Sequence, residues 1–314
     1  MRTVLLAASA LLLAPAPRSS GSAPSGVRRA AAADSLPRSD LSVRLDSGWV
    51  EFWRSERAPD RWDAPHPAVA RALAWRSVAD GVDAAELALA GTGEAWRMRA
   101  VVVRLDPSCV RLRLVTGAPT WRVEEAPDSA VLALNAGQFA GSVPWGWVVR
   151  AGVERRAPGR GPLAAALVVD TAGRVRWLRD DGVPAARASG AVAEAFQSYP
   201  TLLAGGEVPE ALRADGRGVS VAHRDSRLAA CALRDGRVLF LLTRFDAFGD
   251  PFSSVPFGPT APETAALMGA LGCLDAVMLD GGISGQLLLR EASGERRVWR
   301  GWRRVPLGLV VYAR

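Results

Sequence analysis

Short apolar runs, closed at intervals by turn-forming residues, dominate the chain from residue 96 onward. Residues 98–105 and 110–115 read as strands separated by Asp106-Pro107-Ser108. Residues 131–134, 163–170 and 174–178 read as three more, with Thr171-Ala172-Gly173 turning between the last two. The 191–196 segment reads as a short helix or an extended arm leading to Gln197-Ser198-Tyr199-Pro200. Residues 228–233 and 238–242 make a hairpin pattern around Arg234-Asp235-Gly236-Arg237. Thr260-Ala261-Pro262-Glu263 carries a capping-box signature with proline in the first turn, and the helix it opens is stopped by Gly272. Strands at 276–279, 287–289 and 307–312 complete the pattern. Ahead of residue 96 the periodicity is weak, with a short helix predicted within 67–78. Strands paired by short turns predict an α+β fold: a mostly antiparallel sheet with two or three packing helices, in a single catalytic-type domain.

The N-terminus follows a different logic. Arg2, an apolar run over 4–14 and then small residues and prolines predict a signal peptide over 1–26. Residues 27–74 are expected to be a linker and a poorly defined leading segment, and 75–314 the functional domain. No later stretch reaches about 18 uninterrupted apolar residues, so the expected protein is secreted or periplasmic, without a membrane anchor after cleavage. Cys109, Cys231 and Cys273 are an odd set, so at most one disulfide forms and one thiol is left over; the pairing stays open. With only His66 and His223 besides, no transition-metal site and no cofactor are expected, and a divalent cation held by oxygen ligands stays open. The net charge of +7 comes from arginine alone, scattered and not interleaved with aromatics, which argues against a nucleic-acid partner. The oligomeric state is not legible.

Candidate chemistry concentrates in Leu279-Asp280-Gly281-Gly282-Ile283-Ser284-Gly285, where an apolar strand runs into a carboxylate followed by two glycines. A carboxylate held there is suited to act as general base, general acid or nucleophile, or to hold a sugar hydroxyl; the plain alternative is a turn capped by Asp280. The amides of Gly281 and Gly282 are candidates for an anion-binding concavity. Asn135, with Gly137 beside it, ends a second apolar run in a similar polar turn. Arg227, in His223-Arg224-Asp225-Ser226-Arg227 at a strand entrance, is suited to an anionic group, and His223 to moving a proton. Trp145 and Trp147 suit either a sugar face or packing on the sheet. A serine hydrolase built on Ser284, His223 and Asp280 is a further reading, although Gln286 stands where the nucleophile-elbow pattern needs glycine.

Taken in order, these segments resemble the phosphodiester glycosidase family. The family's Asn-Gly-Gly-x-Phe turn is similar to Asn135-Ala136-Gly137-Gln138-Phe139, its Gln-x-x-Pro-x-Leu segment to residues 197–202, and its Arg-Thr-Ala-x-Gly strand in part to residues 227–231. Its Leu-Asp-Gly-Gly-Gly-Ser-Ser array is similar to residues 279–285, after a helix ending in Leu-Gly. The resemblance implies an exported hydrolase cleaving a sugar–phosphate diester in a glycan or cell-envelope polymer. It implies catalytic roles for Asp280 and Arg227, with Asn135, Gly137, Gln197, His223, Gly281, Gly282 and Ser284 lining the substrate. Ile283, Gly285 and Ala136 depart from the pattern and would reshape the pocket. They favour the alternative of a non-catalytic carbohydrate or envelope-polymer binder on the same fold.

Overall fold

The computed structural model describes residues 36–92, 96–116, 120–246 and 253–314. The expected signal peptide and most of the expected linker lie outside the described residues. Asp34–Arg314 forms one packed unit. Its first elements are β1 (Asp40–Leu45), β2 (Gly48–Arg54), α1 (Pro67–Ala72), β3 (Arg76–Ala79), β4 (Val82–Gly91), β5 (Arg97–Leu105) and β6 (Val110–Val115). There follow β7 (Leu132–Asn135), β8 (Phe139–Ala140), β9 (Val143–Pro144), β10 (Val148–Arg150), β11 (Val153–Arg156), β12 (Ala165–Asp170) and β13 (Val175–Arg179). Next are α2 (Val183–Ala188), β14 (Val192–Ser198), β15 (Thr201–Leu203), β16 (Leu228–Leu233) and β17 (Val238–Phe245). The chain closes with α3 (Ala261–Ala270), β18 (Cys273–Leu279), β19 (Leu287–Arg290), β20 (Arg296–Trp299) and β21 (Gly308–Ala313).

The strands make mostly antiparallel sheets, with three α-helices among the described residues. One nine-stranded sheet runs β15-β18-β16-β17-β5-β4-β1-β2, with β3 added on β4. Two five-stranded sheets run β11-β10-β14-β12-β13 and β20-β19-β7-β21-β6, and β8 with β9 forms a small hairpin. Period-two alternation explains the layering. From β5, Ala100 and Val102 face one core together with Leu267 and Met268 of α3. Val101, Val103 and Leu105 face the other, with Leu112, Leu134, Leu167, Phe196 and Leu309 of the smaller sheets. The nine-stranded sheet is therefore a central layer, and continuous apolar runs such as Val238–Leu242 are buried on both faces. This is why several sheets stand where one was expected.

Two local expectations change and an open one is decided. Residues 192–198 are strand β14, the extended alternative and not the helix, because they are sandwiched between β10 and β12. The leading segment, expected to be poorly defined, supplies β1 and β2, and Leu41 and Val43 are fully buried in the core. The Ala-rich stretch after Gly81 is the long strand β4, paired with β1, β3 and β5.

The capping box forms as the sequence predicts. Thr260 N donates to Glu263 Oε2 at 2.9 Å and Glu263 N donates to Thr260 Oγ1 at 3.3 Å. Every residue of α3 is buried, so Ala and Gly recur on it. A Cβ at Gly269 would stand 2.3 Å from the Trp62 ring. Cys231 of β16 and Cys273 of β18 form a disulfide across neighbouring strands, leaving Cys109 free.

Candidate active site

Asp280 is the first residue after β18, where the strand leaves the sheet. Its amide donates to Gly137 O at 2.8 Å, and the Asn135 side-chain amide donates back to Asp280 O. Gln286 N donates to Asn135 Oδ1 at 3.2 Å. These bonds stitch the end of β7 to the end of β18, two strands of different sheets. The turn then folds on itself, with the Ser284 amide donating to Gly281 O at 3.0 Å. Against it lies the loop before β16: Gly282 N donates to Ser226 O at 2.7 Å. The approach is so close that a Cβ at Gly281 would stand 2.4 Å from Ser226 O. One at Gly282, whose φ is +55°, would stand 2.6 Å from Asp225 Oδ2. Buried Arg244 of β17 supports the far end of the turn, donating to Gly285 O at 2.7 Å and Arg300 O at 3.0 Å.

The electrostatics are set by burial. Desolvation pushes the half-buried Asp280 carboxyl up to about 6, and the nearby Asp225 charge adds to the rise. A hydrogen bond from Ser284 and the charge of Arg303 oppose it. Burial likewise raises Asp225, against the pull of Arg227 and His223. His223 is exposed, with Nε2 3.6 Å from Asp225 Oδ2. Arg227 is itself lowered by burial. It donates through Nε to Pro259 O at 2.9 Å, through Nη2 to His223 O and through Nη1 to Met278 Sδ at 3.6 Å. Its neighbour Arg224 grips the buried Glu263 carboxylate with two bonds of 2.7 and 2.8 Å, tying this loop to the capped start of α3.

A family model for phosphodiester glycosidases matches residues 128–312, more than half of the chain and every segment of this site. The chain belongs to the phosphodiester glycosidase family. Among solved structures, it is similar to the zebrafish N-acetylglucosamine-1-phosphodiester alpha-N-acetylglucosaminidase catalytic domain auto-inhibited by its pro-peptide. The identity is 17%, the TM-score 0.58, and the match covers 80% of this chain and 87% of that one. A hypothetical protein from Synechocystis matches at 17% identity and TM-score 0.52, over 87% of this chain and 68% of that one. Likenesses at this identity concern the fold. No curated protein matches the sequence.

Within this family fold, several expected substrate-facing residues turn inward. Gln197 is fully buried: its Oε1 accepts from Trp147 N and Gly159 N, both at 2.9 Å, and its Nε2 donates to Gly159 O at 3.2 Å and Asp180 Oδ1 at 3.3 Å. Its amide ties together the two ends of the 145–159 segment, which holds β10 and β11. It is not free for a sugar hydroxyl. Asn135 is also fully buried, and its amide is spent on the Asp280 turn. Gly137 gives its carbonyl to Asp280, and at its φ of +75° a Cβ would stand 3.1 Å from Gln197 O. The Gly282 amide is committed to Ser226 O and so cannot serve in an anion cradle. Ser284 is buried and bonds the Asp280 carboxyl, whereas His223 pairs with Asp225; the three do not form the relay a serine hydrolase needs. Trp147 is buried with its indole N–H on Glu154 at 3.0 Å, so of the two tryptophans it is the packing one.

Asp280, Gly281, Gly282, Ser284, Arg227 and His223 do converge, together with two residues that sequence reasoning passed over. Asp225 was visible only as one member of a charged cluster. Arg303 arrives from the lead-in to β21, donating to Gly141 O at 2.9 Å. Around Asp280 the surface is apolar as well as charged. Ile283 is 43% and Trp302 56% exposed, and Trp302 N donates to Ile283 O at 2.7 Å. Gln138, next to Gly137, donates to Tyr199 O at 3.1 Å, and Tyr199 meets the Trp145 ring edge-on at 4.6 Å. Other depressions, such as a cavity of about 350 Å³ lined by Arg99, Arg244, Arg296 and Trp299, border neither Asp280 nor Asp225. Among the described residues no three His, Cys, Asp or Glu side chains converge as a metal site, and no helix is long and apolar enough to cross a membrane.

Proposed function

We propose that the protein is an exported hydrolase that breaks the bond between a sugar's anomeric carbon and a phosphate diester, in a glycan or cell-envelope polymer. Family membership supports the reaction class. The observation that carries it is Asp280: a carboxyl with its proton affinity raised to about 6, fixed at a strand end beside the exposed guanidinium of Arg303. Phosphate is a good leaving group, so the site needs to hold its charge more than to protonate it strongly. Arg303, with Arg227 behind, supplies that charge. Above pH 6 Asp280 is a carboxylate and takes a proton from water as the water oxygen bonds to the anomeric carbon. The carbon–oxygen bond to phosphate breaks, and its electron pair leaves with the phosphate. Trp302 and Ile283 offer a sugar ring an apolar face. The proposed chemistry calls on no cofactor from the residues of this site.

The domain that does this extends from Asp34 to Arg314 as one unit, so β1 and β2 belong with the family segment. Export is supported by the Cys231–Cys273 disulfide, a bond that persists in oxidising compartments. Hydrolysis of a panel of sugar-1-phosphodiesters by the purified protein tests the reading. Release of free sugar is expected, rising as pH increases through about 6 because the base form of Asp280 is lost below that value. Asp280→Asn is expected to lose about 10²- to 10⁴-fold in rate, and undiminished hydrolysis by this variant would overturn the assignment. A second reading has one observation in its favour: exposed Ile283 fills the place of a motif glycine. Saturable binding of a phosphoglycan without turnover would make the protein a binder.

A further inference from the structure

We infer that the cavity lined by Arg244, Arg297 and Trp299 is a second anion-binding site, which takes a singly charged organic oxyanion of about sugar size as the counter-charge of Arg244. Arg244 belongs to β17 and is only 3% exposed. Its Nη2 donates to two neutral carbonyls, Gly285 O at 2.7 Å and Arg300 O at 3.0 Å. Its Nη1 is buried and has no hydrogen-bond partner among the described residues. Among those residues no carboxylate forms an ion pair with it either. Burial lowers the guanidinium to about 10, so it is still a cation at neutral pH. A buried charge held only by carbonyls is costly unless an opposite charge joins it. The same side chain lines a cavity of about 350 Å³, where such a charge has room.

The other charges around this cavity are already matched. Arg99 joins Glu86 at 3.7 Å and Asp246 at 3.3 Å, and Arg296 joins Asp128 at 3.6 Å. Arg297 joins Glu86 and, at 3.8 Å, Glu291, while its guanidinium lies 4.9 Å from the centre of the Trp299 ring. Glu291 and Asp128 are shared in turn with Arg76 and Arg290. The remaining lining carboxylate, Glu295, is exposed, where water and salt screen it. The charge left to neutralise is that of Arg244, a single unit, which suits a monoanion such as a phosphodiester or a carboxylate. Volume narrows the choice further. Pockets for small organic molecules begin at about 300 Å³, so this one has room for a ring beside the charged group. Ser253 and Trp299 line it too, and both side chains carry neutral donors. Through Gly285 O, Arg244 also connects the cavity to the turn that carries Asp280. The existence of the site does not depend on the proposed reaction.

Calorimetric titration of the full chain with two probes tests this. Glucuronate is a sugar carboxylate, and glycerophosphoglycerol is a phosphodiester with no anomeric carbon for the proposed reaction to attack. Arginine side-chain NMR resonances, assigned by substitution, report which guanidinium each probe touches. Saturable binding that shifts the Arg244 resonance is expected, with neutral glucose and glycerol silent. Arg244→Met is expected to lose affinity by about tenfold or more. Should that variant fail to fold, Asp246→Asn decides: it removes a lining negative charge, leaves Arg244 in place and is expected to tighten binding roughly threefold. Tighter binding of glycerophosphoglycerol would identify the occupant as a phosphodiester linkage of a polymer, and tighter binding of glucuronate as an acidic sugar. An Arg244 resonance that neither probe moves would overturn the site. So would undiminished binding by folded Arg244→Met, unchanged affinity in Asp246→Asn, or a response to chloride alone, an adventitious ion only. Probe binding by a protein that hydrolyses no sugar phosphodiester would sink the proposed reaction and leave the site standing. Hydrolysis without probe binding would do the reverse.

Discussion

Asp280 shows how a single residue opposes folding in order to be useful. Its carboxyl, ordinarily near 3.8, is raised to about 6 by burial, so the charged form is penalised in the fold. The sign is fixed by linkage: the folded state binds the proton more tightly, and stability is lost as pH rises from the unfolded value through the folded one. The full difference, up to about 3 kcal/mol, applies above pH 6. Asp280→Asn is therefore expected to unfold at higher urea concentration than the wild type at pH 8, and at a similar concentration near pH 3. Equal midpoints at both pH values would contradict the burial argument. Gly282 makes the opposite case. Its φ of +55° and the Asp225 carboxyl 2.6 Å from any Cβ leave no room for alanine. Gly282→Ala is expected to lose about 1–2 kcal/mol from the backbone conformation alone, measured by urea unfolding, and to displace the Asp225 carboxyl.

At the scale of elements, local and tertiary signals compete visibly. The start of α3 needed no tertiary help to be read, because a capping box is written in four consecutive residues. The strand β4 was hidden, because Val-Asp-Ala-Ala-Glu-Leu-Ala-Leu-Ala-Gly is rich in good helix formers. It is a strand because β1 and β5 satisfy its backbone on both sides and Leu87 and Leu89 fill the core. The disulfide belongs to this scale too. It joins β16 to β18 across a separation of 42 residues, holding the two strands that lead into and flank the site. Loop-closure entropy assigns it about 4 kcal/mol. Reduction under mild denaturant, or Cys231→Ser, is expected to lower unfolding stability by that order, and an unchanged urea midpoint after thiol quantification would show the bond to be dispensable.

For the whole molecule, the decisive fact is the central position of the nine-stranded sheet, with α1 and α3 on one face and the two smaller sheets on the other, while α2 packs against one of the smaller sheets. The first two strands are part of it. A protein begun at residue 75 lacks Leu41, Val43, Phe52 and Trp53 from the core, all of them buried, and leaves β4 with an open edge. It is expected to aggregate or to lose near-ultraviolet circular dichroism. A monodisperse, folded product on gel filtration would show β1 and β2 to be accessory.

The sequence by itself determined the class of strands and turns, the helix start, and the glycine-flanked aspartate that marks the site. Each of these is a short-range matter of period, cap and backbone freedom. Only the tertiary structure decided which polar residues face outward. Asn135, in a glycine-bearing turn, and Gln197, near the end of β14, read as ligand-holding groups because an amide has the same local sequence whether it bonds a sugar or a neighbouring segment. Asp225 and Arg303 come within electrostatic reach of Asp280 from chain positions 55 residues before it and 23 after it. Long-range placement is set by sheet register and layer packing, and no local pattern encodes it.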